Sequence, residues 1–171
     1  MYLAAIPQIG VNSGWQALGT WSTGPAVQGG ADVTVTEAAS YMQSAIAGTP
    51  QQFTFHYTNP YGPTDIVYGQ TLFNSDPNGP NGNGACQIEW TSRGALNLLS
   101  GTGPIDGAFG LTPATALSNT SCSIDTLHSS LTLTPSGYDV TVNVTFTAQF
   151  SSPITTHQIF AFGENAEGVA G

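Results

Sequence analysis

Basic side chains are almost absent from this sequence. Arg93 is the single Lys or Arg in 171 residues, against ten Asp and Glu, so that the formal net charge is −9. Proteins that bind nucleic acids neutralise phosphates with Lys and Arg, and electrostatic docking on anionic membranes needs the same side chains. The sequence therefore argues against nucleic acid as a partner and against an electrostatic membrane contact.

Charged residues of either sign are scarce, at 6% of the chain, whereas about a quarter is usual in soluble domains. Surface polarity must then come from Ser, Thr, Asn, Gln and Gly, which we interpret as an extracellular, cell-surface composition. Apolar residues make up 40%, enough for a core in a chain of one-domain length. No run approaches the ~18–20 apolar residues of a membrane span, so we predict none. Residues 1–7 lack the basic start of a signal peptide.

Signatures of catalysis are missing as well. There is no Gly-x-Ser-x-Gly, no His-Glu-x-x-His and no closely spaced acidic pair. The three histidines, His56, His128 and His157, are scattered, and we expect them on solvated strand faces or in loops. The sequence predicts a protein that is not an enzyme and has no cofactor, although two distant carboxylates could still meet in the fold.

The cysteine count is two, Cys86 and Cys122. No CxxC or HxxxH spacing accompanies them, so a zinc site is not indicated. An even count in a chain of extracellular composition favours a disulfide between the two, with two buried free thiols as the alternative.

Alternation of apolar and polar residues is the main structural signal, and residues 138–150 show it best. One face of that segment carries Val140, Val142, Val144, Phe146, Ala148 and Phe150. Shorter strands are predicted within residues 33–35, 53–57, 65–73, 86–90, 96–98 and 131–133, separated by turns rich in Gly, Pro and Asn. This spacing predicts an all-β, antiparallel β-sandwich. Residues 36–47 are interpreted as a short helix or a loop.

The segment Ile159, Phe160, Ala161 and Phe162 differs because it is apolar throughout. A strand of this kind is buried on both faces, and its open edge needs a covering partner. At the other end, residues 9–21 look like a turn followed by a strand. Together the two segments would complete a hairpin. We therefore divide the chain into a donor-strand extension, residues 1–24, and a sandwich, residues 25–171.

A resemblance to a known type of domain rests on several short segments. In chain order these are residues 12–15, 53–55, 58–62, 85–86, 97–99, 117–122, 140–150 and 159–162. They resemble an immunoglobulin-like β-sandwich module that occurs in tandem in large secreted bacterial surface proteins. Such modules finish with a turn and an Asn-Ser-Gly-Trp closing strand, which here precedes the sandwich. The resemblance implies an immunoglobulin-like fold and a structural role, and the changed order implies strand exchange.

The leading hypothesis is a structural subunit of an extracellular filament or pilus, a helical homopolymer assembled head-to-tail by donor-strand exchange. The donor strand would present Trp15, Ala17, Leu18 and Trp21, and the acceptor groove would be lined by Ile159, Phe160 and Phe162. One alternative is a monomeric secreted adhesion or carbohydrate-binding module whose N-terminal strand folds back. A β-sandwich viral coat protein is a third interpretation.

Three further groups of residues are candidates for other sites. Asn119 and Asn143 begin Asn-x-Ser/Thr sequons, which occur by chance in Ser/Thr-rich chains but mark candidate glycosylation sites. Asp76 and Asn78 lie in a loop with oxygen ligands for calcium, although an ordinary series of Asn-Gly turns explains this loop better. The tryptophans Trp15, Trp21 and Trp90 would suit a sugar-stacking platform, but for Trp15 and Trp21 strand parity favours a core position.

Overall fold

The computed structural model describes residues 16–18, 33–37, 46–74, 84–111, 116–150, 157–166 and 168. Within them the chain forms strands with one short 3₁₀ turn at Pro63–Asp65. The strands are β1 (Gln16–Leu18), β2 (Thr34–Glu37), β3 (Pro50–Thr58), β4 (Ile66–Asn74), β5 (Cys86–Thr91), β6 (Leu96–Ser100), β7 (Gly103–Ile105), β8 (Ala116–Ser118), β9 (Cys122–Thr134), β10 (Gly137–Phe146) and β11 (Gln158–Asn165).

These strands form two antiparallel sheets. Sheet A has the order β1-β11-β4-β5-β6-β7, and sheet B has the order β2-β3-β10-β9-β8. The two sheets pack face to face, and their inward side chains form one hydrophobic core. The predicted all-β antiparallel sandwich is therefore confirmed.

The core follows the period-2 alternation of the strands. On β10 the inward residues Val140, Val142 and Val144 are buried, as are the inward aromatic residues of β3. Aromatic rings join the sheets, with the centroids of Phe53 and Phe73 4.8 Å apart. Each such buried side chain stabilises the fold by about 1.5–3 kcal/mol relative to exposure.

The cysteines link the two sheets. Cys86 on β5 and Cys122 on β9 form a disulfide with their Cα atoms 5.6 Å apart, and both residues are fully buried. The predicted disulfide is confirmed, and the alternative of two free thiols is wrong.

Tyr57 makes a second connection between the sheets. Its hydroxyl, carried by β3 of sheet B, donates to the carbonyl of Gln70 on β4 at 3.0 Å. The ring packs edge-on against Trp90, with centroids 4.7 Å apart. Trp90 fits because its cross-strand partner is Gly69, where a Cβ would lie 2.5 Å from the indole nitrogen. Burial raises the pKa of Tyr57 to about 12, so the hydroxyl remains a donor at neutral pH.

Two strand predictions differ from the structure in detail. The alternating strand was expected to run to residue 150, but β10 ends at Phe146. Thr147 instead donates its backbone N–H to Ser121 at 2.9 Å, and Phe150 returns to stack on Phe146 with centroids 5.2 Å apart. Leu133 is 65% exposed next to the β9–β10 turn, because burial needs a facing strand as well as the right parity.

The predicted helix or loop at residues 36–47 begins too early. Thr36 and Glu37 complete β2, where they pair with His56 and Phe55 of β3. Residues 38–45 lie outside the described part of the chain, and the following turn ends at Gly48, whose backbone N–H donates to Phe146 at 2.9 Å.

Candidate strand-acceptor edge

Strand β11 lies near one edge of sheet A, between β4 and the short β1. Its pairing with β4 runs along its whole length, from Gln158 opposite Asn74 to Asn165 opposite Ile66. On the other side it pairs antiparallel with β1 over three residues, with Ala17 opposite Phe160. Strand β1 is therefore the outermost described strand on this side of sheet A.

The side chains of β11 are buried on both faces of sheet A. Ile159 and Ala161 point into the core between the sheets. Phe160 points to the opposite face, where it forms a separate apolar cluster with Leu72 and Ala85 and is only 1% exposed. A strand with apolar residues on both faces is expected inside a layered structure rather than at a solvated edge.

The predicted acceptor residues Ile159, Phe160 and Phe162 are thus neighbours on one strand, and all three are buried. Phe162 packs edge-on against Tyr68 of β4, with ring centroids 5.8 Å apart. Their role as an acceptor groove stays a prediction, since burial by itself is also the property of a core strand.

For the predicted donor strand, the structure describes the backbone of residues 16–18 only. Leu18 stands opposite Ile159 in the register, which places two of the donor candidates, Ala17 and Leu18, beside the acceptor residues. Trp15 and Trp21 lie outside the described residues. The third tryptophan, Trp90, is 1% exposed in the core and is therefore not available as a sugar platform.

A polar cluster on the outer face of sheet A escaped the sequence analysis. The hydroxyl of Tyr68 donates to Oε1 of Glu89 at 2.5 Å. The amide of Gln70 donates to both of them, and the Gln87 amide donates to Gln70 at 3.2 Å. Strand parity places these residues on one face, but only the register of β4 with β5 brings Gln70 opposite Glu89.

The electrostatics of this cluster favour a structural role. Burial raises the pKa of the Tyr68 hydroxyl well above its ordinary value, and the hydrogen bond and negative charge of Glu89 raise it further. The phenol therefore stays protonated and donates to the carboxylate. The cluster joins β4 to β5 beside β11, and its protonated phenol is a hydrogen-bond donor rather than a nucleophile.

The three histidines lie in different places. Nδ1 of His56 is 2.6 Å from Oδ1 of Asp139 on the outer face of sheet B, and Nδ1 of His128 is 2.7 Å from Oδ2 of Asp125 on the same face. The ring of His157 stacks on Phe150 with centroids 3.9 Å apart. They do not converge on one site.

Among the described residues, no group of three His, Cys, Asp or Glu side chains could hold a metal ion. The calcium candidates Asp76 and Asn78 lie outside these residues.

The sequon residues have contrasting environments. Asn119 follows β8 and uses both ends of its side-chain amide in hydrogen bonds to backbone groups. Asn143 lies on β10, half-buried on the outer face of sheet B, where its backbone N–H donates to Ser129 Oγ at 3.0 Å and its side chain has no hydrogen-bond partner among the described residues.

Comparison of the chain with protein-family models, with curated proteins and with solved structures gave no match. Over the described residues, the structure contains no helix of the length and hydropathy needed to cross a membrane.

Proposed function

We propose that this protein is a structural subunit of an extracellular filament in which a strand from the N-terminal segment of one subunit covers β11 of the next. The observation that carries the proposal is the pairing of residues 16–18 with β11, a strand that is buried on both faces. The resemblance to secreted immunoglobulin-like modules supports it, because those modules close with a strand similar to residues 12–21.

Strand addition suits the chemistry of this edge. The backbone of the added strand supplies hydrogen bonds, and alternate side chains fill apolar pockets. Burying each large apolar side chain contributes about 1.5–3 kcal/mol, so that a strand with several of them forms a stable joint. A contact between two different surfaces is head-to-tail, and it produces an open fibre unless the rotation closes a ring.

The charge distribution agrees with an apolar joint. Arg93, the single Lys or Arg, is exposed in the turn between β5 and β6. The acceptor residues Ile159, Phe160 and Phe162 are uncharged, so an ion pair does not hold the joint. The disulfide between Cys86 and Cys122 suits an oxidising, extracellular compartment.

A monomeric adhesion or carbohydrate-binding module is the second candidate, and the same pairing gives it specific support. Residues 16–18 pair with β11 of their own chain, which is the arrangement that a folded-back strand would have. Both candidates place an N-terminal strand beside β11. They differ in whether this strand comes from the same chain or from a neighbouring subunit.

Size measurement of the full-length protein separates them. We expect filaments by electron microscopy and a polymer by light scattering. Deletion of residues 1–21 should abolish polymerisation and leave the apolar edge of β11 uncovered. A peptide of residues 10–24 should then restore a folded, capped monomer. A truncated chain that still forms filaments would refute N-terminal strand donation, and a full-length monomer unaffected by dilution would favour the second candidate, whose strand folds back on its own chain.

A matched pair of peptide variants tests which face of the strand carries the joint. Trp15→Ala and Gln16→Ala alter adjacent residues that point to opposite faces of a strand. We expect the Trp15 change to weaken the rescue more. Equal effects would show that binding rests on the backbone alone.

Salt provides an independent check on the apolar character of the joint. Moving filaments from low salt to about 0.5 M, where charges are screened within a few ångströms, should leave them intact. Filaments that dissolve would point to an electrostatic joint.

A further inference from the structure

We propose that Asn143 carries an N-linked glycan and that the other sequon, at Asn119, is purely structural. Both sequences satisfy the same three-residue rule, Asn119-Thr120-Ser121 and Asn143-Val144-Thr145. The fold separates them, because it engages the Asn119 side-chain amide completely and gives that of Asn143 no partner among the residues that the structure describes.

The Asn119 amide holds three segments together. Its Oδ1 accepts the backbone N–H groups of Ser121 at 2.8 Å and Cys122 at 2.9 Å. Its Nδ2 donates to the carbonyls of Ala85 at 3.2 Å and Leu99 at 2.7 Å. The side chain thus ties the β8–β9 turn to β6 and to the residue before β5, next to the disulfide.

A glycan at Asn119 conflicts with these bonds. Attachment replaces one amide hydrogen by a sugar carbon, so that one of the two carbonyls would lose its donor. The sugar would also have to occupy the space in which Ala85, fully buried, and Leu99 approach the amide. Loss of a hydrogen bond at a buried acceptor is unfavourable, and this fold excludes the modification while it is intact.

Asn143 is placed differently. It lies in the middle of β10, on the polar outer face of sheet B, opposite Gln52 of β3 and Asp125 of β9. Its side chain is half-buried and makes no hydrogen bond to another residue in the described part of the chain. The sequon hydroxyl of Thr145 lies two residues further on the same face, about 7 Å along the strand. The amide nitrogen is therefore free to react and to project a glycan from the sheet.

A bulge in β9 gives the glycan a neighbouring surface. The register of β9 with β10 shifts between Thr141 and Asn143. Asp125 holds this bulge, because its Oδ1 accepts the N–H of Leu127 at 3.0 Å and its Oδ2 contacts the ring of His128. The bulge leaves Leu127 39% exposed beside an otherwise polar face. An aliphatic side chain there offers a contact for the C–H face of a sugar.

The transfer itself needs a co-reactant, an activated glycosyl phosphate donor, and a transferase. The amide Nδ2 of Asn143 forms a bond to C1 of the sugar, the C1–O bond to phosphate breaks, and the amide proton leaves with the phosphate. The inference rests on the extracellular part of the proposed function, because the chain must enter a compartment in which such donors are used.

Glycosylation at this position is compatible with filament assembly. Asn143 belongs to sheet B, whereas the strand-acceptor edge of β11 belongs to sheet A. A glycan on the outer face of sheet B would leave that edge open.

Peptide mapping of the protein purified from the organism that produces it tests the proposal. After chymotryptic digestion, mass spectrometry should show a sugar mass on the peptide with Asn143 and none on the peptide with Asn119. Thr145→Ala should remove the sugar, Thr145→Ser should retain it, and Ser121→Ala, which destroys only the Asn119 sequon, should change nothing.

The outcomes distinguish this proposal from the proposed function. An extracellular, disulfide-bonded chain without sugar at Asn143, or with sugar at Asn119, would overturn the glycosylation proposal and leave the filament proposal standing. An unmodified chain found only inside cells, with free thiols, would overturn both.

Discussion

The two sheets differ in their outer faces. Sheet B presents a polar surface, on which Thr54 and Thr141 are hydrogen-bonded at 2.9 Å and the pair His56 and Asp139 lies next along the strands. Sheet A buries Phe160 with Leu72 and Ala85 on the corresponding face, next to the polar cluster around Glu89. Sheet B is thus built to face water on one side, whereas the part of sheet A around Phe160 needs cover on both.

This difference between the outer faces distinguishes the β1–β11 side of sheet A from the edges of sheet B. An edge strand with a polar outer face tolerates water, because only its backbone groups remain to be hydrated. A strand such as β11, which is next to the edge and has buried residues on both faces, leaves apolar surface uncovered if its neighbour β1 is removed. The difference between the sheets therefore indicates where a second chain would bind.

The largest expected effect is at Phe160. Phe160→Ala removes a fully buried ring from the outer face of sheet A, and we expect a loss of about 3–5 kcal/mol in the free energy of unfolding. Gln158→Ala, at an exposed position on the same strand face, is the control and should change stability by less than about 0.5 kcal/mol. Urea denaturation measures both losses of stability. Similar losses for the two variants would contradict the proposed need for cover on the outer face of sheet A.

Removal of the disulfide tests how much this bond contributes to holding the two sheets together. Replacing Cys86 and Cys122 together by Ala should lower stability by roughly 3–4 kcal/mol, as the chain-entropy account gives for a loop of this size. The intact mass of the native chain should rise by about two daltons on reduction, since each reduced sulfur gains one hydrogen. A double variant as stable as the native chain would show that core packing alone holds the sheets together.

The next prediction concerns the hydrogen bond by which Tyr57 joins the two sheets. Tyr57→Phe leaves the Gln70 carbonyl without its donor from sheet B, and we expect a loss of about 1–3 kcal/mol. Thr54→Ala on the solvated face of the same strand is the control. If the control costs as much as the Tyr57 change, the buried hydroxyl does not have the special role assigned to it.

Tyr57 also predicts that the folded protein loses stability at alkaline pH. The pKa of Tyr57 is raised from 10.0 to about 12 in the folded protein. Above pH 10 the unfolded chain therefore loses this proton before the folded chain does, and stability falls as the pH rises towards 12. Denaturation curves between pH 9 and about 12 should show a shallower fall for Tyr57→Phe than for the native chain, and equal slopes would contradict the assignment.

The smallest effect is expected on the outer face of sheet B. The hydrogen bond from His128 lowers the pKa of Asp125, so its contribution is present near neutral pH and is lost as the pH falls through that lowered value. Because both side chains are substantially exposed, Asp125→Asn should cost less than about 1 kcal/mol. Acid denaturation checks this, and a larger loss would mean that the bulge of β9 depends on the charge.

The strands were predictable because alternation is a local property of the chain. Val140, Val142 and Val144 mark the inward face of β10 in the sequence as clearly as in the structure. The inward orientation of Cys86 followed from its parity with Ile88 and Trp90. The apolar character of residues 159–162 was equally visible.

Pairing was not predictable in the same way, since it depends on residues far apart in sequence. His56 and Asp139 meet across 83 residues, and the Tyr68 cluster forms only because β4 and β5 align in one particular register. Sequence rules also treat Asn119 and Asn143 alike, because a sequon is defined by three residues and not by its surroundings.

The sequence by itself determined the class of fold, the inward faces of β3, β5 and β10 and the near absence of positive charge, because these depend on composition and on a period of two residues. Only the tertiary structure decided that β11 lies between β4 and residues 16–18, that the disulfide crosses from one sheet to the other, and that the Asn119 amide is engaged while that of Asn143 has no partner in the described part of the chain. Those outcomes depend on long-range register and packing, which a local pattern does not encode.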